Sequence, residues 1–110
     1  MPASRSEVEK IIRRFRSILK AKGINPERII LFGSHANGTP SEYSDIDLVV
    51  ISRDFSRLTF EKRCAILGEA VAETMEPIEP LAYTPEEFER LPPLSVIAAL
   101  VRDPARHIEL

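Results

Sequence analysis

The sequence predicts an α/β chain of the α+β kind, with a small mixed β-sheet covered by helices. Three observations carry that prediction. Two short apolar runs, Arg28 to Phe32 and Leu48 to Ile51, are too brief for helices and are bounded by turn-forming residues, as buried strands are. Flanking stretches place apolar residues every three or four positions, the mark of amphipathic helices. The order helix, strand, strand, helix, strand, helix, helix then calls for helices layered on a sheet.

The elements follow in turn. Ser4 and Glu7 have capping-box spacing, after which Val8, Ile11, Ile12, Phe15, Ile18 and Leu19 share one helical face until Gly23. Asn25-Pro26 turns the chain into the first strand, which ends at Phe32. From His35 to Ser44 the breakers Gly38, Thr39, Pro40 and Ser41 predict a loop with room for one short helical turn. Asp45-Ile46-Asp47 runs straight into the second strand. Ser52 to Ser56 reads as a loop, and Phe60, Cys64, Leu67, Val71 and Met75 then keep helical spacing up to Pro77. Ile78 to Tyr83 reads as a third strand that Pro77 and Pro80 push to a sheet edge, because proline donates no amide. Thr84-Pro85-Glu86-Glu87 pairs a cap residue with proline at the first helical position, and Pro92-Pro93 ends that short helix. A last amphipathic helix carries Leu94, Ile97, Ala98 and Val101 before Asp103-Pro104.

The 110 residues suffice for one domain, spanning 1–110, with a modest core and no separate substrate lobe. No apolar run approaches the ~20 residues that cross a bilayer, and the first residues lead into charge, so the expected setting is cytoplasmic and away from membranes. The lone cysteine, Cys64, fits that setting and is expected to be a buried structural thiol. Residues 1–28 hold eight Lys/Arg against three Glu, whereas the remainder holds seven against fourteen Asp/Glu. A basic helix can meet nucleic acid or an acidic partner, but charge on a solvated helix face is the preferred reading, and nucleic-acid binding is not inferred.

The chemistry lies between the first two strands. Side chains alternate along a strand, so Asp45 and Asp47 point the same way, roughly 6.5–7 Å apart along the backbone. Adjacent carboxylates repel unless a cation lies between them, most often magnesium held together with substrate phosphates. The Gly33-Ser34 turn supplies the other half. Without a side chain at Gly33 a phosphate can come close to the backbone, where turn amides and the Ser34 hydroxyl donate to it. The combination describes a site for a nucleoside triphosphate. A third acid is expected on an adjoining strand for two-ion phosphoryl chemistry. Glu79 is preferred because it falls within the third strand; Glu76, at the preceding turn, is the competitor.

Leu31-Phe32-Gly33-Ser34 followed by Ser44-Asp45-Ile46-Asp47-Leu48-Val49-Val50 resembles the signature of the DNA polymerase beta-like nucleotidyltransferase superfamily. The compact chain resembles its minimal nucleotidyltransferase branch, whose members pair with HEPN-domain proteins in toxin–antitoxin systems. The resemblance runs from Arg28 through Thr84-Pro85-Glu86-Glu87-Phe88. It implies the polymerase beta-like fold, Gly33 and Ser34 on the triphosphate, Asp45 and Asp47 on magnesium, and Glu79 in the slot of the third catalytic and metal-binding acid. In the family that acid is usually an aspartate followed by apolar residues, whereas here a glutamate is followed by proline.

The implied activity is magnesium-dependent transfer of AMP from ATP to a hydroxyl acceptor, such as a HEPN partner protein. The alternative is an antitoxin that neutralises a HEPN ribonuclease by complex formation alone. Modification of a small molecule is disfavoured in a chain with no second lobe, although a homo-oligomer could supply one. His35 reads as an exposed loop histidine, and Arg53, Arg57, Lys62 and Arg63 as bridging surface charges.

Overall fold

A computed structural model of the protein describes residues 4–38, 45–103 and 107–110. Helix α1 spans Arg5–Ala21, strand β1 Arg28–Phe32, helix α2 Ser34–Asn37 and strand β2 Ile46–Ile51. A 3₁₀ turn at Arg53–Arg57 leads to α3, Phe60–Thr74, and then to β3, Ile78–Tyr83. Two short helices, α4 at Pro85–Glu89 and α5 at Val96–Arg102, precede β4 at His107–Glu109.

The strands lie in the order β3-β2-β1-β4. β1 runs antiparallel to β2 and to β4, whereas β2 and β3 are parallel, so the sheet is mixed as expected. β3 occupies an edge, and its hydrogen bonds show why Pro80 is tolerated. Ile46 donates to the Pro77 carbonyl and Ser52 to the Tyr83 carbonyl, so the odd-numbered residues of β3 face β2. Pro80, of opposite parity, turns its donorless nitrogen outward.

Alternation along the strands creates two different faces. Ile29, Leu31, Ile46, Leu48 and Val50 pack with Val8, Ile12, Phe15 and Leu19 of α1 and with Leu67 and Ala70 of α3. On the opposite face Ile30, Phe32, Val49 and Ile51 meet only Phe88 of α4 and Val101 of α5 among fully buried residues. That second face carries Asp47, and its coverage stops short of the acidic end: Asp45 and Glu79 are exposed. The capping boxes expected at Ser4/Glu7 and Thr84/Glu87 are both present.

Several expectations are corrected. Cys64 is exposed, because α3 turns Leu67, Ala70 and Thr74 inward rather than the face bearing Phe60, Cys64 and Met75. α5 begins at Val96 behind a Ser95 cap, which leaves Leu94 outside the helix and in solvent. The segment after β2 is a 3₁₀ turn, because the Ser52 hydroxyl accepts from Asp54 N–H and buried Phe55 anchors it. β4 was not expected: three residues are too few to reveal an alternating pattern. Of the loop expected to run to Ser44, residues 39–44 lie outside the described residues.

The basic groups early in the chain serve the fold. Arg14 donates to the Glu73 and Thr74 carbonyls, Arg16 to the Leu110 carbonyl, and Arg28 pairs with Glu109 at 2.6 Å. Among the described residues, no helix is long and apolar enough to cross a membrane.

Candidate functional site

Where β1 ends, the chain must leave the sheet without obstructing the start of β2. Gly33 does this with φ 77° and ψ −156°, a conformation reserved almost entirely for glycine. Its carbonyl then accepts from Ala36 N–H at 3.1 Å, closing the single turn of α2 that Gly38 ends with a left-handed φ of 74°. The same glycine lies directly against Asp47. A Cβ built there would overlap Asp47 Oδ2 and come within 3.2 Å of Asp47 Cγ, so the turn and the carboxylate share one space that no side chain at 33 could enter.

The strand register assembles the acids. Phe32 at the end of β1 pairs with Asp47, and Asp47 pairs across the parallel ladder with Glu79. Paired residues on neighbouring strands project to the same face about 4.8 Å apart, and Asp45 precedes Asp47 by two residues on that face. Asp47 is half-buried while Asp45 and Glu79 are exposed. Burial first, and then the negative charges of Asp45 and Glu79, push the Asp47 carboxyl above its ordinary value, with His35 opposing the shift. A carboxylate whose ionisation is resisted by two neighbours is short of positive charge.

Glu79 thus acts on Asp47 across the ladder, whereas Glu76 belongs to the turn closing α3, where its N–H donates to Thr74 Oγ1. Ser34 stands at the first position of α2, half-buried beside Gly33. His35 corrects the expectation of an exposed loop residue: it is buried, it is among the groups that act on the Asp47 carboxyl, and its carbonyl accepts from Arg5 of α1. A short helical turn could be anticipated in this loop, but nothing in its composition told which of its residues turns inward. Arg53, Arg57 and Arg63 lie beyond the opposite end of β2, paired with Glu27, Asp54 and Glu87.

As a cation site the arrangement is open. Among the described residues no group of three or more His, Cys, Asp or Glu side chains is drawn together at metal-binding distances. Two carboxylates suffice for magnesium when phosphate oxygens and water complete its shell, and the charge-starved Asp47 beside Asp45 has the oxygen chemistry that ion requires. The residues therefore fit a magnesium ion that arrives with a triphosphate better than one resident alone.

Comparison with known proteins follows the same lines. A model described as a nucleotidyltransferase domain matches residues 12–104, a span that contains the glycine turn and all three acids. Two relatives from Methanocaldococcus jannaschii align over 45 residues each. Putative protein adenylyltransferase MJ1379 is 47% identical over 41% of this chain and 44% of its own length. Putative protein adenylyltransferase MJ1305 is 44% identical over 41% of this chain and 30% of its own. The matched segment thus spans less than half of either relative. Among solved structures, a putative nucleotidyltransferase from Sulfolobus solfataricus superposes with TM-score 0.53 at 22% identity, covering 83% of this chain and 85% of that one. A chain from a toxin–antitoxin structure with AMP-PNP superposes with TM-score 0.58 at 20% identity, covering 93% of this chain and 70% of that one. At such identities the structural likeness is one of fold.

Proposed function

The chain belongs to the nucleotidyltransferase domain family, and from that premise we propose that it transfers AMP from ATP to a hydroxyl of an acceptor, with pyrophosphate as the leaving group. The observation that carries this reading is the register that sets Glu79 opposite Asp47, on the face of Asp45 and against the Gly33 turn. The 45-residue matches to proteins named as protein adenylyltransferases favour AMP as the group moved and a protein as the acceptor.

Each residue has a task. Gly33 leaves space for the triphosphate to reach backbone amides, and the Ser34 hydroxyl donates to a phosphate oxygen. Asp45 and Asp47 hold magnesium, with Glu79 as the third carboxylate. Bound there, magnesium would neutralise the phosphates and lower the barrier to attack on the α-phosphorus. The acceptor oxygen forms its bond to that phosphorus as the bond to the β-phosphate oxygen breaks, and the acceptor proton passes to a Glu79 carboxylate oxygen. Glutamate is a methylene longer than aspartate, which suits an acid on the exposed edge strand that must reach inward.

A second reading is favoured by the toxin–antitoxin neighbour: an antitoxin that silences a HEPN-type ribonuclease by contact alone. One experiment separates the two. The protein is incubated with labelled ATP, magnesium and the product of the adjacent reading frame, beside Asp45→Asn and Asp47→Asn. Label on the partner that either substitution abolishes supports the enzyme; a tight complex without label, unchanged by both, supports the binding module.

A further inference from the structure

We propose that Arg5, the first residue of α1, binds the terminal phosphate of the nucleotide and so makes the site select a triphosphate. The inference rests on the reading of the chain as a nucleotidyltransferase that uses ATP. Its starting point is a contact between elements far apart in sequence: Arg5 Nη2 donates to the His35 carbonyl of α2 at 3.2 Å. A guanidinium therefore stands one residue beyond the Gly33-Ser34 turn.

The fold brings it there. α1 and β1 pack in the same core and are joined through residues 22–27, so the chain doubles back and α1 begins at the end of the sheet where β1 stops. With 17 residues α1 is about 25 Å long, against roughly 17 Å for the 5 residues of β1. The first turn of the helix thus overshoots the strand and comes level with α2. Along α2 the carbonyls point away from Gly33, whereas the first amides point toward it. The amides that meet a phosphate and the guanidinium consequently lie at opposite ends of a turn about 6 Å long, a length that a triphosphate tail follows. With the α-phosphorus beside the carboxylates, the terminal phosphate is the one nearest Arg5.

Arg5 is also uncommitted. It is exposed and, among the described residues, the His35 carbonyl is its one partner, so Nε and Nη1 keep their hydrogens for a ligand. A guanidinium presents its donors as a planar fork that suits phosphate oxygens. Other arginines are engaged elsewhere: Arg53, Arg57 and Arg63 pair with acids beyond the far end of β2, and Arg14 and Arg16 hold backbone carbonyls. Charge supplies the need. Asp45, Asp47 and Glu79 already gather negative charge at the site, and a triphosphate brings more of it than one magnesium offsets. A cation at the end of the tail balances it without crowding the metal.

Calorimetric titration in the presence of magnesium tests the proposal with two probes, a non-hydrolysable ATP analogue and ADP. Arg5→Ala is expected to weaken the analogue by about 10- to 100-fold, as loss of one hydrogen bond to a charged group does, and to leave ADP at its wild-type affinity. Without nucleotide it should melt as wild type does, because the side chain removed is exposed and has a single carbonyl partner among the described residues. Arg13→Ala is the control: Arg13 is another exposed arginine of α1 that donates to a carbonyl, that of Glu9, and its loss should leave both probes unaffected. Equal weakening of the two probes together with a lower melting temperature would mean that Arg5 only holds α2 in place, and it overturns the proposal. Wild-type affinity for the analogue in Arg5→Ala overturns it as well. If Asp45→Asn then abolishes analogue binding, the proposed function stands and only the role of Arg5 falls; a wild-type chain that binds neither probe overturns both.

Discussion

Replacing Gly33 by alanine perturbs the site through two separable effects. The first is in the backbone. With φ 77° and ψ −156°, position 33 occupies a region that residues with a side chain enter at a cost of about 1–3 kcal/mol. The second is steric and falls on one partner, because the new methyl would overlap Asp47 Oδ2 and lie 3.2 Å from Asp47 Cγ. The carboxylate is the mobile end of its side chain, so it moves, and a displacement of ~1 Å at a catalytic group costs on the order of 100-fold in rate. For a domain of this size each kcal/mol lowers the melting temperature by roughly 4–8 °C. Gly33→Ala is therefore expected to melt at least ~4 °C lower and to lose about 100-fold in transfer of label from ATP. A double-mutant cycle isolates the steric part: in an Asp47→Ala background the methyl meets no carboxylate, and the stability cost falls to the backbone strain alone. Wild-type melting and transfer in Gly33→Ala would refute the close approach of turn and acid.

Other expectations follow from the same site and its supports. Asp47→Asn removes a charge that burial and its neighbours oppose, so at pH 7 the variant should melt at or above wild type while losing transfer. The sign is set by the raised folded value: the penalty is present above it and vanishes below about pH 3.9, where Asp47 is protonated folded or unfolded, so melting scans across pH should converge there. Magnesium added with a non-hydrolysable ATP analogue should raise the melting temperature of wild type and not of Asp45→Asn. At the far end of β2, Arg63 holds the Glu87 carboxyl below its ordinary value at 2.7 Å, and Glu87 in turn caps α4 through Thr84. Glu87→Gln should cost about 1 kcal/mol at neutral pH, an effect lost as pH falls through the lowered Glu87 value, with transfer unaffected.

How much of this was legible in the sequence depended on whether the signal was local. The strands at Arg28–Phe32 and Ile46–Ile51, the caps at Ser4 and Thr84, and the edge position of β3 all follow from runs, cap residues and prolines that act within a few positions. The shared face of Asp45 and Asp47 follows from alternation alone. What escaped needed knowledge of distant partners. The apolar positions of α3 fit helical spacing but could not show that Leu67, Ala70 and Thr74 turn inward while Phe60 and Met75 do not. β4 exists only because β1 offers it an edge. The pairing of Asp47 with Glu79 is a tertiary register, and choosing between Glu79 and Glu76 required it. The burial of His35 depends on how α2 folds back beside Asp47, which the loop composition could not reveal.

The most direct test is a crystal structure of the protein with magnesium and a non-hydrolysable ATP analogue. Density for an ion between the Asp45 and Asp47 carboxylates, with the triphosphate on the Gly33-Ser34 turn and Glu79 facing the α-phosphorus, is the predicted result. A nucleotide bound elsewhere, or one bound with those carboxylates turned away into solvent, contradicts it.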